Sequence, residues 1–246
     1  MPLTETYAFY AALTLLLVSP ATGAFLKFWA DRAAEGTIVL GAASHCDHCG
    51  RPLASRDVVP VLSWLFSGGR ARCCGHGIRQ GLLTAEITAI ILAVWGLLAA
   101  PEALVLPTLI VAWLMQATAL LSAPARQSAL ALSLVLTSLG LFWSISGLTG
   151  PWQLHLTGAL VGASLAAFGI LDTVRGAPTL LLMPAGAMLG VTALPSAIFL
   201  GLVLALAHRG WCVVSDRAGT PHATSVAVGL AGGIWLVWLY GPTLGI

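Results

Sequence analysis

Long apolar runs separated by short polar breaks dominate the chain, at residues 7–26, 82–100, 103–122, 127–149, 152–171 and 223–244. Each is close to the roughly 20 residues that carry an α-helix across a bilayer, and a helix satisfies its own backbone hydrogen bonds in hydrocarbon. A seventh run, 179–207, is too long for one crossing and is interrupted by VTALPS. Split at Thr192 to Pro195, it becomes two short helices and brings the total to about eight transmembrane helices. One polar excursion, 27–81, interrupts the pattern. The fold class expected is an all-α integral membrane protein in three parts: a first transmembrane helix (1–26), a cytoplasmic Cys-containing loop domain (27–81) and a polytopic membrane domain (82–246).

Composition agrees with that pattern. Of 246 residues, 58% are hydrophobic and 8% charged, with a mean hydropathy of +0.93, whereas soluble domains are about a quarter charged. Nine of the eleven Lys and Arg residues (Lys27, Arg32, Arg51, Arg56, Arg70, Arg72, Arg79, Arg126 and Arg175) fall on one side whichever way 179–207 is divided. With two helices there, Arg209 and Arg217 join them, so the positive-inside rule favours eight crossings with both termini outside. The first run is expected to stay as a membrane helix, because MPLTETYAFY carries an acid and no base before it, unlike a signal peptide. A net charge of +2 leaves no nucleic-acid footprint.

The excursion holds seven of the eleven basic residues and four of the five cysteines. Cys46 and Cys49 form a C-x2-C pair followed by Gly50, the spacing with which two thiolates reach one tetrahedral Zn2+. A cytoplasmic loop is reducing, which favours a metal over a disulfide. RARCCGHG offers Cys73, Cys74 and His76 for the remaining ligands. Adjacent cysteines do not easily bind one ion in the knuckle manner, so the expected set is Cys46, Cys49 and Cys74 with either His76 or Cys73, and His45 and His48 stand outside as further candidates. Some fifty residues build little core, and a metal would take its place.

Several segments in order carry a resemblance. GAFLKFWADR, then CDHCG, then DVVPVLSWLFSGGRARCCGHGIRQGLLTAE (Asp57 to Glu86) are similar to the N-terminal part of the type IV prepilin peptidases, peptidase family A24. Phe25, Leu26, the PVLSWL of Pro60 to Leu65, and Glu86 match that family's pattern. Cys74 takes its fourth Cys position, Ala71 replaces the third, and Cys73 stands where the family has an ordinary residue. Thr179 to Gly190 and Thr220 to Gly233 continue the resemblance to the C-terminus. It implies a bacterial inner-membrane enzyme that trims the leader from pilin and pseudopilin precursors at the cytoplasmic face, in many members followed by methylation with S-adenosylmethionine.

The same resemblance implies aspartic chemistry, two carboxylates sharing a proton as general base and general acid. On the family's register the two Asp positions fall on Ala117 and Pro178, and the Lys that follows the second is Leu180. Neither replacement can carry a proton. Asp172 and Glu86 are the substitutes nearest the cytoplasmic membrane edge, each with an ordinary explanation: Asp172 pairs with Arg175 at a helix end, and Glu86 suits a helix N-terminus.

Other polar groups have bland readings. His155 beside Trp152 and His208 beside Arg209 are expected at the membrane interfaces. The runs GALVGASLAAFG and GLAGG permit close helix contact and need no ligand. Three functions remain open: a pseudoenzyme holding pilin-like leaders or an active homologue, a residual S-adenosylmethionine-dependent methyltransferase, and a live peptidase using Asp172 or Glu86. Partners expected are the lipid bilayer and pilin-like precursors or an active homologue, with no nucleic acid.

Overall fold

The computed structural model describes residues 3–36, 45–46, 48–78, 80–121, 126–168, 178–214 and 222–244. The protein is all-α: among the described residues there is no strand, only two isolated bridges in the Cys loop. Among the described residues five helices are long and apolar enough to cross a membrane, and Val105–Leu121 is a shorter apolar one. The chain divides into two compact units, 1–113 and 114–246.

In the first unit, α1 (Leu3–Ala34) pairs with α3 (Gln80–Ala99). Among the described side chains of α1 the buried positions are Ser19, Gly23, Leu26 and Ala30, spaced four, three and four apart, which is the seam of two helices packed nearly in line. They meet Ala85, Ala89 and Ala93 of α3 so closely that a Cβ on Gly23 would stand 2.5 Å from the Ala85 carbonyl oxygen. Inside α1, Pro20 has no N–H for the Leu16 carbonyl, and the Ser19 hydroxyl donates to that oxygen instead, at 2.7 Å. Helix α1 continues to Ala34, eight residues past the expected end at 26, so the excursion starts helical. The Lys27–Asp31 pair lies in that extension, and Lys27 packs over Gly81 at the start of α3.

Between them, α2 (Leu62–Ser67) ends on Gly68 and Gly69, both left-handed, whose N–H groups return to the carbonyls of Leu65 and Trp64. The chain then enters the second Cys turn.

The unit boundary falls inside α4 (Val105–Leu121). The second unit comprises the end of α4, α5 (Arg126–Ile145), α6 (Trp152–Ala167), α7 (Leu182–Val214) and α8 (His222–Leu244), with a 3-10 turn at Pro178–Leu181 leading into α7. Helix α7 is broken at Gly190, where φ is 79° and ψ 170°. Gly162, Gly158 and Leu154 of α6 meet residues 182–183, 186 with 190–191, and 190 in turn. Yet Val161 and Leu165 also share a groove with Val191, Ile198 and Leu202. A chain that ran straight on past Gly190 would leave α6 behind, so the second arm of α7 doubles back beside it. The expected division of 179–207 into two helices therefore holds, but the break is at Gly190 and not at Thr192 to Pro195, which are helical. Only a residue without a Cβ adopts φ 79° and ψ 170° at low cost, whereas Pro195 has a helical φ and sits close enough to the new helix start to remove one bond.

Both glycine-rich runs form the close contacts expected of them. A Cβ on Gly186 would stand 1.9 Å from the Gly158 carbonyl oxygen, and one on Gly233 would stand 2.4 Å from the Gly201 nitrogen. Here backbone meets backbone, and Cα–H groups face carbonyl oxygens. His155 is a correction: it is buried, and its Nδ1 lies 3.0 Å from the Ala187 oxygen. In an unbroken helix that carbonyl would take the N–H of Val191, so the break at Gly190 orphans it and the imidazole N–H replaces the lost donor. His208 is likewise turned inward, its Nδ1 3.0 Å from Ser225 Oγ, joining α7 to α8.

Gly186→Ala should destabilise the protein by about 1–3 kcal/mol through overpacking. Gly210→Ala, with open space around it, should not. Thermal unfolding of the detergent-purified variants compares the two.

Candidate functional site

The Cys loop is built from two similar turns. In the first, the Cys46 N–H donates to the Arg51 oxygen at 2.8 Å and the Gly50 N–H to the Cys46 oxygen at 2.9 Å. In the second, the Ala71 N–H donates to the His76 oxygen at 2.7 Å and the Gly75 N–H to the Ala71 oxygen at 2.7 Å. Gly50 and Gly75 have φ of 68° and 70°, and each turn is closed by one bridge, His45 with Pro52 and Arg70 with Gly77. Every residue of the second turn thus answers to one 25 positions earlier. Ala71 occupies the place of Cys46, Cys74 that of Cys49, and Cys73 that of His48.

The missing thiol is recovered from inside the turn. The sulfur atoms of Cys46, Cys49, Cys73 and Cys74 all lie within 4.8 Å of one another. Cys46 to Cys74 is 3.7 Å, Cys49 to Cys73 is 3.4 Å and Cys73 to Cys74 is 3.9 Å. Four sulfurs at about 2.3 Å from a tetrahedral ion stand about 3.8 Å apart, so the cluster has the dimensions of a four-thiolate metal site. Of the two partners the sequence leaves for Cys74, the structure selects Cys73, and the expected difficulty with adjacent cysteines does not arise because Cys73 projects from within the turn. His76 stays outside the cluster and stacks on His48, ring centres 4.1 Å apart.

The thiols are electrostatically unequal. The N–H groups of Cys49 and then His48 pull Cys46 down to about 6, while hydrogen bonding to Cys49 and then Cys46 pushes Cys73 up to about 12. Clustered sulfurs resist holding more than one negative charge, and a bound cation removes that resistance.

Glu86 lies one helical turn and more into α3 and is only 4% exposed. Its Oε2 accepts the Val61 N–H at 2.7 Å. Val61 has φ 60° and ψ −51°, and the Leu62 N–H reaches back to the Pro60 oxygen at 2.6 Å, which makes Pro60 to Leu62 a γ-turn of the strained, positive-φ kind. A β-branched residue avoids that conformation. The PVLSWL segment therefore turns sharply around one carboxylate, a partner that a helix-terminus reading of Glu86 does not supply.

In the second unit, Ala117 on α4 is 0% exposed between the buried Gln116 and Thr118. Pro178 opens the 3-10 turn whose next residue, Thr179, is buried. Residues 114–246 contain two acids, Asp172 and Asp216, and both lie outside the described residues.

The sequence profile of the bacterial peptidase A24 N-terminal domain matches residues 17–100. Over 209 residues the chain is 31% identical to a prepilin leader peptidase/N-methyltransferase of Klebsiella pneumoniae, covering 79% of this chain and 92% of that protein. The chain belongs to the prepilin leader peptidase family. It is also 26% identical over 213 residues to the Bacillus subtilis protein of that name, and 27% over 220 residues to the one from Dichelobacter nodosus, matches that cover 85% and 74% of those proteins. No solved structure matches it significantly. The family profile covers the PVLSWL turn, Glu86 and both Cys turns.

The purified full-length protein should carry about one metal ion per chain. Cys73→Ala should lose it as Cys46→Ala does, and His76→Ala should retain it, as read by elemental analysis. Metal kept by Cys73→Ala and lost by His76→Ala would move the fourth ligand to the imidazole. Glu86→Ala should lower stability by about 2 kcal/mol through loss of a buried charge-assisted hydrogen bond, with Glu86→Gln losing less.

Proposed function

We propose that this protein is a prepilin-peptidase-like inner-membrane pseudoenzyme, which holds pilin-like leader segments or an active homologue without cutting them. The observation that carries the reading is the chemistry at the family's two Asp positions. A methyl group stands at Ala117, sealed from solvent, and a pyrrolidine ring at Pro178. General acid–base hydrolysis needs a proton carrier at each place, and neither side chain has one. The rest of the scaffold supports binding: the family match spans most of the chain, and the Cys turns keep four thiols although their spacing has changed.

On this reading the loop of residues 27–81 faces the cytoplasm, consistent with the bias of its basic residues, and its ion is Zn2+, which takes four thiolates in a closed tetrahedral site with a structural role. The protein serves a type IV pilus or related type II secretion system. Nothing in the arrangement favours a retained methyltransferase.

Expression in a bacterium lacking its own prepilin peptidase, together with a prepilin from the same cell, tests the proposal. The expected outcome is unprocessed prepilin with the protein folded in the membrane. Processing that disappears in Asp172→Asn or Glu86→Gln would show a live peptidase with relocated acids.

A further inference from the structure

We propose that residues 58–67 form an interfacial segment seated in the bilayer, its apolar side chains in the acyl boundary and its flanking arginines among anionic lipid headgroups. Helix α2 has no buried residue. Val58, Val59, Leu62, Leu65 and Phe66 are all exposed, Leu65 at 63% and Phe66 at 74%. Half of a ten-residue segment is thus large, apolar and uncovered, which a water-facing loop does not tolerate.

Glu86 fixes the level of this segment along the membrane. It lies six residues beyond Gln80, which is about 9 Å along the axis of a membrane-spanning helix. A carboxylate at that depth requires a polar partner, and the Val61 N–H is the one it has. The segment that supplies it therefore lies at the same level, inside the apolar stretch of α3 and not out in water. The face of α3 at that level is lipid-exposed, its stripe running through Ile87, Ile91, Val94 and Leu98.

Charge selects the bilayer surface as the occupant. Arg56 precedes the segment and Arg70 follows it, and both are exposed. Arg72 is drawn instead to Asp57, 3.6 Å away. Apolar residues bracketed by basic ones suit the boundary between acyl chains and anionic headgroups. The strained γ-turn at Val61 has a purpose in this setting: it bends the chain off α3 so that α2 lies along the interface while the Val61 N–H, just before the helix, stays on Glu86.

The test places a photo-crosslinking residue in the full-length protein in native membranes, as Phe66→benzoylphenylalanine, with Leu65→benzoylphenylalanine as the second variant and Arg51→benzoylphenylalanine in the Cys turn as the reference. Retained metal and membrane integration identify folded variants. Position 66 or 65 is expected to give phospholipid adducts in several-fold excess over position 51. Adducts to a pilin-like precursor or to a second copy of the chain, or a lipid yield no higher than at position 51, would overturn the proposal.

Discussion

Hydrocarbon offers no hydrogen bonds, so a backbone group or charge left unpaired in it is costly, and several particular features of this protein follow from that. Ser19 supplies the donor that Pro20 withholds from the Leu16 carbonyl. His155 supplies the donor that the break at Gly190 withholds from Ala187. Val61 accepts an unfavourable backbone conformation to bring its N–H to Glu86. Each substitution in one element is matched by a polar group on its own or a neighbouring element. Elsewhere the helices meet through glycine, because Gly158, Gly186, Gly201, Gly229 and Gly233 let backbones approach directly, with His208 and Ser225 adding one polar link between α7 and α8.

The Cys loop meets a different shortage. It is too small to bury a core of its own and replaces one with four sulfur atoms spaced for a single ion. Its two turns share the same backbone hydrogen bonds, closing bridge and positive-φ glycine although one carries Ala71 where the other has Cys46. With the thiol two residues along, at Cys73, four sulfurs still meet within 4.8 Å of one another although the spacing along the chain differs between the turns. The two Asp positions show no comparable rescue among the described residues of the second unit, which contain no acid. Close helix contacts and four clustered thiols, with Ala117 and Pro178 where the family resemblance implies acids, are the physical basis for the proposal that it binds without cutting.

Much of this was legible in the sequence. Apolar run length predicts the helices, and the glycine runs mark the tight contacts. C-x2-C with Gly50 marks the metal turn. The sequence points to VTALPS for the break in the 179–207 run because proline is the more visible helix breaker, whereas Gly190 reads as one more small residue in a packed run; its φ of 79° is a property of the folded backbone. The sequence points His155 and His208 to the interfaces because periodicity cannot show that a helix breaks opposite one of them or that a serine faces the other. The partnership of Glu86 with Val61 joins residues 25 apart through a turn that no propensity favours, so the sequence carried the two ends without their connection. The repeat relating the two Cys turns was readable as C-x-H-C-G against A-x-C-C-G, but which thiol faced inward needed coordinates.

The central claim is that this family scaffold holds a pilin-like precursor, or an active homologue, and leaves the precursor whole. Its most direct test is intact-mass measurement of a prepilin after incubation with the purified protein in detergent, on both the bound and unbound fractions. The account predicts that precursor of full, uncut mass co-purifies with the protein. Recovery of the freed leader peptide and the shortened pilin would contradict it.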